Sequence, residues 1–516
     1  MAGTYNYRLV TESHAGHGNE NAILRGIICP NRRDGSPHHR SYLSIILIWL
    51  IPRTLSPRLH PLEPPLLRPR VPLIGHILGL IRHQANYHAI LFRTTSSPPI
   101  ATLPMLAGKM YVVWDPVLVA ACLRNKALST MPGFRETTPA ITGVSPEATA
   151  LWRAPEGERM VDKVMREEIP KSLQGEEVKP LEKYVFERMG QELVQLLDKR
   201  EAVEIPNLYL WLRDMLTDST AVALYGEEHN PFKHTARSKE QDPAQALWVF
   251  ESNLISLTLP FPKIFARTAY KARKCLVKAL APYYLAEHDL GAHASAFVRR
   301  RGAGMREAGL SSMDIARFEI LLPFAALANT VPALFWTFWF VFCGGGNQDG
   351  KRETLLAKLR KEVEDGLIVK VTGSSSSSTV STTSNGSGVS GEETQGGGNG
   401  GRNEVTLLIN ASTIESRCPL LVSCYKETMR HVVHQISTRT ATCTMVQLAI
   451  GVGHAMEEYW GSDVQEIDLE RFVRKESLGK SGDVDGPGSA RMMRAAFQPF
   501  GGGIHHCPGR RLAFVR

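Results

Sequence analysis

The spacing of hydrophobic residues predicts a chain that is mainly α-helical. Apolar positions recur about every 3.6 residues within 181–197 and 244–257, and residues 158–290 are predicted to be mostly helical. Residues 351–367 and 419–433 also have helical patterns, with charged residues on the outward face of the first of these segments. Only a small part of the chain is therefore predicted to form β-strands.

A small β region is predicted near the start of this helical pattern. Residues 100–106 and 109–113 are apolar segments on either side of Gly108, which is typical of a β-hairpin. Asp115 and Pro116 then mark the start of a helix, because aspartate caps a helix N-terminus and proline fits its first turn.

The most hydrophobic segment, residues 320–343, has 24 uncharged residues and is long enough to cross a membrane. However, Pro323, Asn329, Thr330 and Pro332 lie within it. They favour a helix that is buried in protein and locally broken. Residues 259–266 form a proline-broken apolar loop, and three interpretations stay open: it is packed, it contacts a membrane or it lines a substrate site.

Other segments are biased in composition. Residues 42–51 are apolar, but ten helical residues span roughly 15 Å, about half of a bilayer core. An interfacial anchor, the remnant of a longer anchor, and a buried or frayed segment all fit this run. Residues 61–75 are a proline-rich connector, and residues 373–401 are so poor in apolar side chains that a disordered surface insertion is predicted.

Charge and cysteine content exclude some classes of protein. The 516 residues carry a formal net charge of +9, but the cations are scattered and no basic tract interleaves with aromatics, so a nucleic-acid partner is not predicted. The eight cysteines form no CxxC pair, which favours a reducing compartment.

The strongest chemical signal is the glycine-rich segment 500–510 (FGGGIHHCPGR). Zinc binding by His505, His506 and Cys507 is disfavoured because adjacent side chains diverge in an extended loop. The order of Phe500, Gly503, His505, Cys507 and Gly509 resembles the haem-binding loop of cytochromes P450, with His505 where Arg is commoner.

This resemblance implies that Cys507 is the axial thiolate ligand of a haem b iron. Gly503 and Gly509 would let the backbone approach the ring, and His505 would reach a haem propionate. A helix beginning after Pro508 would direct its positive end towards the sulfur.

Two further segments resemble the family. Glu427 and Arg430 are three residues apart, which alone would suggest an ordinary surface ion pair. In the family such a pair binds an arginine that corresponds to Arg471, although Leu469 stands where a proline is usual. Arg439 lies where the family often has a propionate-binding arginine.

The broken apolar helix also resembles the family's distal helix. Asn329 then replaces a glycine and Pro332 replaces the threonine that relays protons, as in the branch of cholesterol 7α-hydroxylase and prostacyclin synthase. Asn329 and Thr330 are the candidate catalytic residues. The alternative is that Asn329 only forms hydrogen bonds within a kinked core helix.

The resemblance implies one large domain of the cytochrome P450 fold over 76–516. The first 60 residues show no resemblance to the family. Two departures are expected: the chain between Arg439 and Val446 is too short for a strand pair, and the fold is incomplete at its C-terminal end.

The implied activity is insertion of one oxygen atom from O2 into a steroid-, terpenoid- or lipid-like substrate. Electrons would come from NADPH through a partner reductase, at the cytosolic face of the endoplasmic reticulum membrane. The reductase would dock near Arg491, Arg494, Arg510 and Arg511, although solvated surface charge explains these arginines equally well. The alternatives are a haem-thiolate isomerase or dehydratase that rearranges a peroxide without a reductase, and a truncated, non-catalytic product.

Overall fold

A computed structural model describes most of the chain from residue 59 onward. The described residues are 59–69, 74–95, 98–105, 108–197, 202–233, 242–343, 349–373, 381–382, 405–409, 413–441, 444–478, 490–503 and 506–515. The apolar run 42–51 and His505 lie outside these ranges, so the predictions made for them stay predictions.

Helices dominate the described residues, as the spacing predicts. In the first half they are α1 (Ile77–His83), α2 (Asn86–Thr94), α3 (Pro116–Arg124), α4 (Met131–Thr142), α5 (Pro146–Arg153), α6 (Pro155–Asp162), α7 (Ile169–Ser172), α8 (Lys179–Leu197), α9 (Leu208–Tyr225) and α10 (Pro243–Asn253). A π-helical stretch, Lys163–Glu168, joins α6 to α7.

The second half of the chain continues in the same way. Its helices are α11 (Pro262–Phe265), α12 (Arg267–Leu285), α13 (Ala296–Glu307), α14 (Ser312–Glu319), α15 (Leu321–Leu327), α16 (Thr330–Phe342), α17 (Asp349–Leu367), α18 (Ile414–Arg417), α19 (Pro419–Val432), α20 (Ile450–Gly453), α21 (Glu457–Trp460), α22 (Arg471–Leu478), α23 (Ala490–Ala496) and α24 (Arg510–Val515). Short 3₁₀ turns cover Leu254–Thr258 and His288–Leu290.

The main sheet has four strands in the order β1 (Ile100–Met105), β2 (Gly108–Val113), β7 (Thr444–Leu448) and β6 (Ser437–Ala441). The predicted hairpin is confirmed, because β1 and β2 pair antiparallel from Ile100 opposite Val113 to Met105 opposite Gly108. The α3 start is confirmed too, since the Asp115 carboxylate accepts a hydrogen bond from the Leu118 N–H at 2.8 Å.

The expected shortage of chain between Arg439 and Val446 is wrong. Strands β6 and β7 form an antiparallel pair in which Arg439 lies opposite Val446 and Ala441 opposite Thr444. A tight connection is enough here, because antiparallel neighbours can be joined by two residues. β7 also pairs in parallel with β2, which joins this late segment to the early hairpin.

A second sheet has the order β3 (Ile368–Gly373), β5 (Val405–Ile409) and β4 (Ser381–Thr382). Of the predicted insertion 373–401, the structure describes Gly373, Ser381 and Thr382, all in these strands. The rest of the insertion lies outside the described residues.

The largest hydrophobic core lies among the long helices. Val185 of α8, Leu216 of α9, Phe250 of α10, Leu276 of α12 and Ile315 of α14 all pack into it with at most 1 % exposure. A second core surrounds the fully buried side chains of Trp114 and Trp460, between the main sheet and the last third of the chain.

The apolar segment forms a locally broken helix within the first core. Helical structure extends over Ser312–Phe342, 31 residues, and is long and apolar enough to cross a membrane by length and composition. Its most apolar part is 61 % buried in the protein, as expected for a core helix, and α15 is separated from α16 at Ala328 and Asn329. The prediction of a buried, interrupted helix is therefore confirmed.

Candidate functional site

The candidate site is centred on the loop that leads into α24. The Cys507 N–H donates to the Phe500 carbonyl at 3.0 Å, and the His506 N–H donates to the Gly503 carbonyl at 3.2 Å. These bonds fold residues 500–507 back on themselves and hold Cys507 just before the helix. Phe500 thus shapes the loop through its backbone carbonyl.

Gly503 is required by the space around this loop. Its φ of +62° lies in the left-handed region, and an added Cβ would lie 2.1 Å from the Leu123 carbonyl oxygen. The end of α3 therefore presses directly on the loop. At Gly509 an added Cβ would lie 3.9 Å from the Cys507 sulfur, an ordinary contact, so space alone does not demand glycine there.

The environment of Cys507 affects its acidity in two opposing ways. Burial raises the pKa of the Cys507 thiol, while the Gly509 N–H and the positive charge of Arg510 act to lower that pKa. A metal ion bound to the sulfur would add a much larger effect, because a coordinating thiol is deprotonated outright. The Gly509 N–H and the Arg510 cation would therefore stabilise the negative charge of a Cys507 thiolate.

Among the described residues, no group of three or more His, Cys, Asp or Glu side chains has the arrangement of a metal site. Within the described part of the loop, Cys507 is the candidate ligand for a haem iron.

Arg439 of β6 lies near Cys122 at the end of α3, the helix whose Leu123 carbonyl lies against Gly503, and two of its guanidinium nitrogens lack hydrogen bonds. The residue is 2 % exposed, and its Nε and Nη1 atoms have no partner among the described residues. Burial lowers the pKa of the guanidinium, and the nearest group that opposes this effect is Cys122, which immediately precedes Leu123. A buried cation with free N–H groups is costly unless an anion binds it.

The three remaining sequence candidates form one buried network. Arg430 donates from Nε and Nη2 to the two Glu427 carboxylate oxygens at 2.9 and 2.7 Å, and Arg471 Nε donates to Glu427 Oε1 at 3.1 Å. Arg471 also donates to Asp463 at 2.9 Å. Glu427, Arg430 and Arg471 are at most 3 % exposed, so this is an interior network and not a surface ion pair.

The network is complete in hydrogen bonds as well as in charge. Arg430 Nη1 donates to the carbonyls of His454 and Val464 at 3.1 and 2.8 Å. Burial acts to raise the pKa of Glu427, but the hydrogen bonds from Arg430 and His431 and the charges of Arg430 and Arg471 lower it to about 2. Glu427 therefore stays ionised.

His454 belongs to the site, although the sequence analysis did not identify it. Its ring is 1 % exposed, with Nδ1 3.1 Å from the Val433 carbonyl and Nε2 accepting from the Gln498 N–H at 3.3 Å. The Gln498 carbonyl in turn accepts from Gly501. His454 thus connects the end of α19 to the cysteine loop, and a lone histidine has no sequence signal for such a role.

The two candidate catalytic residues differ in their surroundings. Thr330 is 7 % exposed, and its hydroxyl donates to the Ala326 carbonyl at 2.8 Å. Asn329 is exposed, as is Ala325 one turn earlier, although most of the neighbouring positions are buried. An open strip one helix turn long therefore faces outwards from α15 at the break, with Asn329 at its polar end.

A bound haem fits these features. Cys507 provides a soft ligand in a glycine-bounded loop, and Arg439 provides a buried cation with two free nitrogens for a propionate. The exposed strip of Ala325 and Asn329 leaves space on a core helix that is otherwise packed. Each feature reduces the stability of the chain without haem, and a bound haem would remove that cost.

No family model matches the chain. It is 28 % identical over 489 residues to a cytochrome P450 monooxygenase of Gibberella zeae, an alignment that covers 90 % of this chain and 81 % of that protein. It is 27 % identical over 473 residues to the cytochrome P450 monooxygenase nodJ of Hypoxylon pulicicidum, covering 88 % and 80 %.

A solved structure is also similar. The fold matches a retinoic acid-bound cyanobacterial CYP120A1 with a TM-score of 0.55 at 17 % identity, covering 87 % of this chain and 88 % of the other. At this identity the likeness concerns the fold, and the predicted mainly α fold with a small β region is confirmed.

Proposed function

Because the chain belongs to the cytochrome P450 family of monooxygenases, we propose that it binds haem b through Cys507 and inserts one oxygen atom from O2 into a hydrophobic substrate. The observation that carries this proposal is the buried guanidinium of Arg439, which has two nitrogens without hydrogen-bond partners among the described residues and lies near the end of α3 that contacts the Cys507 loop. An anion of the cofactor would remove the cost of that buried charge.

When bound, the haem supplies the activation of dioxygen, and the chain's own residues hold and tune the site. Cys507 would hold the haem iron through its thiolate, an electron-donating ligand. The Gly509 N–H and the positive charge of Arg510 stabilise the negative charge on the sulfur. The network of Glu427, Arg430 and Arg471 keeps the loop's support rigid.

We assign to Asn329 the delivery of protons during oxygen activation. Its amide lies at the exposed end of the strip, whereas the Thr330 hydroxyl proton is already donated to the Ala326 carbonyl. Asn329, with an ordered water, would hold and pass the proton, and Thr330 would stabilise the helix beside the break. The methyl group of Ala325 makes the rest of the strip apolar, which suits a steroid-, terpenoid- or lipid-like substrate.

Electrons would come from NADPH through a partner reductase with an acidic docking surface. Arg494 and Arg510 are exposed near the cysteine loop and offer the complementary charge. The side chain of Arg491 lies outside the described residues, and Arg511 contacts Glu182 at 3.4 Å. We place the enzyme at the cytosolic face of the endoplasmic reticulum membrane.

The deciding experiment is the absorption spectrum of the reduced protein with carbon monoxide. The native chain should show the band of a thiolate-ligated haem, and Cys507→Ala should lack that band. Cys343→Ala is the matched control, because Cys343 is exposed and far along the chain from the loop. A Cys507→Ala variant that retains the band would contradict the assignment.

Turnover assays separate the monooxygenase from the peroxide isomerase. A monooxygenase consumes NADPH and O2 with each product formed and needs the reductase. Turnover of a peroxide without NADPH would instead support the isomerase.

A further inference from the structure

The backbone that leads into the cysteine loop is held at Gln498. Its N–H donates to Nε2 of His454 at 3.3 Å, its side-chain amide donates to the Ala495 carbonyl at 2.9 Å, and its carbonyl accepts from the Gly501 N–H at 3.1 Å. The last two bonds join residues that are three positions apart. Of the three, the bond to His454 is therefore the one that fixes Gln498 to a distant part of the chain.

The two contacts of the His454 ring determine which nitrogen carries the proton. Nδ1 lies 3.1 Å from the Val433 carbonyl, which can only accept a hydrogen bond, so Nδ1 is the protonated nitrogen and donates. Nε2 then keeps its lone pair and accepts from the Gln498 N–H. Burial lowers the pKa of His454 to about 3, so the ring stays neutral and keeps this tautomer at neutral pH.

The backbone around His454 is attached to the buried ion pair. Arg430 Nη1 donates to the His454 carbonyl at 3.1 Å, and Arg430 Nη2 donates to Glu427 at 2.7 Å. The indole N–H of the fully buried Trp460 donates to the Gly453 carbonyl at 2.9 Å. The Arg430 guanidinium also lies over the Trp460 ring, 5.1 Å from its centre. A charged group and an aromatic group thus fix the backbone from which the imidazole projects.

Aromatic packing holds the same stretch of chain. The centre of the His454 ring lies 5.7 Å from that of Phe497, the residue immediately before Gln498. The Phe497 ring also contacts Phe472 and Trp460, at 5.0 and 6.1 Å between ring centres. The imidazole is therefore placed by packing on its face and by hydrogen bonds at both nitrogens.

The position of Gln498 is passed on to the ligand through the loop backbone. The Gly501 N–H binds the Gln498 carbonyl, and the Cys507 N–H binds the Phe500 carbonyl at 3.0 Å. Because Phe500 is two residues beyond Gln498, a shift of Gln498 moves the carbonyl that Cys507 binds. A series of hydrogen bonds and short backbone segments therefore leads from the His454 ring to Cys507.

We propose that His454 is a positioning residue for Cys507: by accepting the Gln498 N–H it fixes the loop to the buried ion pair and determines where the sulfur lies. This inference rests on the proposed function, in which that sulfur binds the haem iron, and it names the residue that sets the ligand's place. His454 acts through the loop backbone. Groups that orient a metal ligand typically change metal affinity or activity about tenfold to a hundredfold when they are removed.

Three substitutions of His454 separate its two contacts. His454→Gln places an amide oxygen near the position of Nε2, so it keeps an acceptor for the Gln498 N–H and loses the bond to Val433. His454→Asn has a shorter amide, which keeps a donor near the Val433 carbonyl and loses the contact with Gln498. His454→Leu loses both bonds. If the ring acts through Gln498, His454→Gln should resemble wild type, whereas His454→Asn should resemble His454→Leu.

The full chain without added haem gives the first measurement. Iodoacetamide should alkylate Cys507 about two- to tenfold faster in His454→Asn and His454→Leu, because the loop loses the hydrogen bond that holds it. Backbone amides of residues 497–503 should also exchange faster with solvent in these two variants. His454→Gln should match wild type in both measurements. Cys343 is exposed, reacts in the same sample and should be alkylated at one rate in all variants.

The haem-loaded chain gives the second measurement. In His454→Asn and His454→Leu, a smaller share of the bound haem should show the thiolate band in the reduced carbon monoxide spectrum, and haem should be lost about tenfold faster. His76→Leu is the matched control. His76 is 2 % exposed, and its ring likewise contacts two partners, the Tyr87 hydroxyl at 2.7 Å and the Leu67 carbonyl at 3.1 Å. His76→Leu should lower the melting temperature and leave the share of haem in the thiolate band unchanged.

Three results would overturn the positioning role. Equal alkylation rates and equal thiolate bands in His454→Leu and wild type would mean that the loop is placed without His454. Equal losses in His454→Gln, His454→Asn and His76→Leu would assign the effect to general stability. Losses in His454→Gln that are absent from His454→Asn would make the Val433 contact the decisive one. Circular dichroism checks the fold, and His454→Asn decides if His454→Leu unfolds.

Failure of the proposed function gives a different pattern. A wild-type chain that binds no haem, but whose His454 variants show the expected alkylation rates of Cys507, refutes the proposed function and supports the positioning role. A wild-type chain that shows the thiolate band, and whose His454 variants keep wild-type alkylation and spectra, supports the proposed function and refutes the positioning role.

Discussion

Glu427 and Arg430 form a bidentate ion pair with both side chains at most 1 % exposed. The pair lies on one face of α19, and its remaining N–H groups bind carbonyls of residues 454, 464 and 466. Because these partners come from the segment between α20 and α22, one ion pair connects α19 to a region that otherwise has little regular structure.

Removing the carboxylate should be severe. Glu427→Ala leaves the buried charge of Arg430 without a carboxylate and leaves Arg471 with only the half-exposed Asp463, and breaking a buried ion pair costs roughly 3 to 5 kcal/mol. We expect insoluble or haem-free protein, measured as haem per chain. Glu415→Ala, at an exposed position of α18, is the control and should behave like wild type. Normal haem content in Glu427→Ala would show that the network is dispensable.

Arg439 should matter for haem retention. Arg439→Leu removes the charge-assisted hydrogen bonds to a propionate, and such bonds contribute about 1.5 to 3 kcal/mol. Haem transfer to a scavenging apoprotein should therefore be about tenfold to a hundredfold faster, and Arg439→Lys should restore part of the difference. An unchanged rate for Arg439→Leu would mean that its guanidinium does not face the cofactor.

Gly503 and Gly175 offer a matched comparison. Both have positive φ, +62° and +61°, but an added Cβ meets the Leu123 carbonyl oxygen only at Gly503 and meets nothing at Gly175. Gly175→Ala should cost only the backbone strain, about 1 kcal/mol. Gly503→Ala should cost more and should abolish haem binding. Equal melting temperatures and haem contents would show that the α3 contact is not essential.

Asn329→Ala should uncouple electron use from product formation. The amide at the exposed end of the strip is the polar group assigned to proton delivery, and alanine cannot replace it. We expect less product per NADPH consumed, with substrate binding largely retained. Thr330→Val is the comparison, since that hydroxyl only bonds within its helix. Unchanged coupling in Asn329→Ala would make the residue structural.

Acid should destabilise the protein through buried neutral histidines. Burial lowers the pKa of His88 to about 4 and that of His454 to about 3, although hydrogen bonds to Gln447 and to the Val433 carbonyl oppose this. The unfolded chain then binds more protons below about pH 6.5, so stability is full above that pH and falls as the pH decreases.

The loss should approach about 1.4 kcal/mol per pH unit for each histidine. Urea unfolding between about pH 8 and pH 5 measures it. His88→Gln should weaken the pH dependence, whereas His229→Gln, at an exposed position, should not. Stability that is flat across this range would contradict the neutral state of the buried rings. Glu427 adds its own loss only below its unfolded pKa near 4.5, down to about 2.

The cysteine loop and the ion pair could be predicted from sequence because their signals are local. Glycines beside Cys507 indicate a backbone that side chains would obstruct, and a Glu three residues before an Arg places both on one helix face. The broken apolar helix could also be predicted from sequence, since a proline beyond the first turn of a helix removes a backbone hydrogen bond.

Only the tertiary structure decided which of these groups are buried and which have hydrogen-bond partners. Glu427 is an interior anion because Arg471, 44 residues later, reaches it. His88 is neutral because distant parts of the chain bury its ring, and the residue that it contacts there, Gln447, is 359 residues away. The burial of Arg439 and the exposure of Asn329 depend in the same way on distant segments. Burial and hydrogen-bond pairing are properties of contacts between parts of the chain, and spacing along the chain does not contain them.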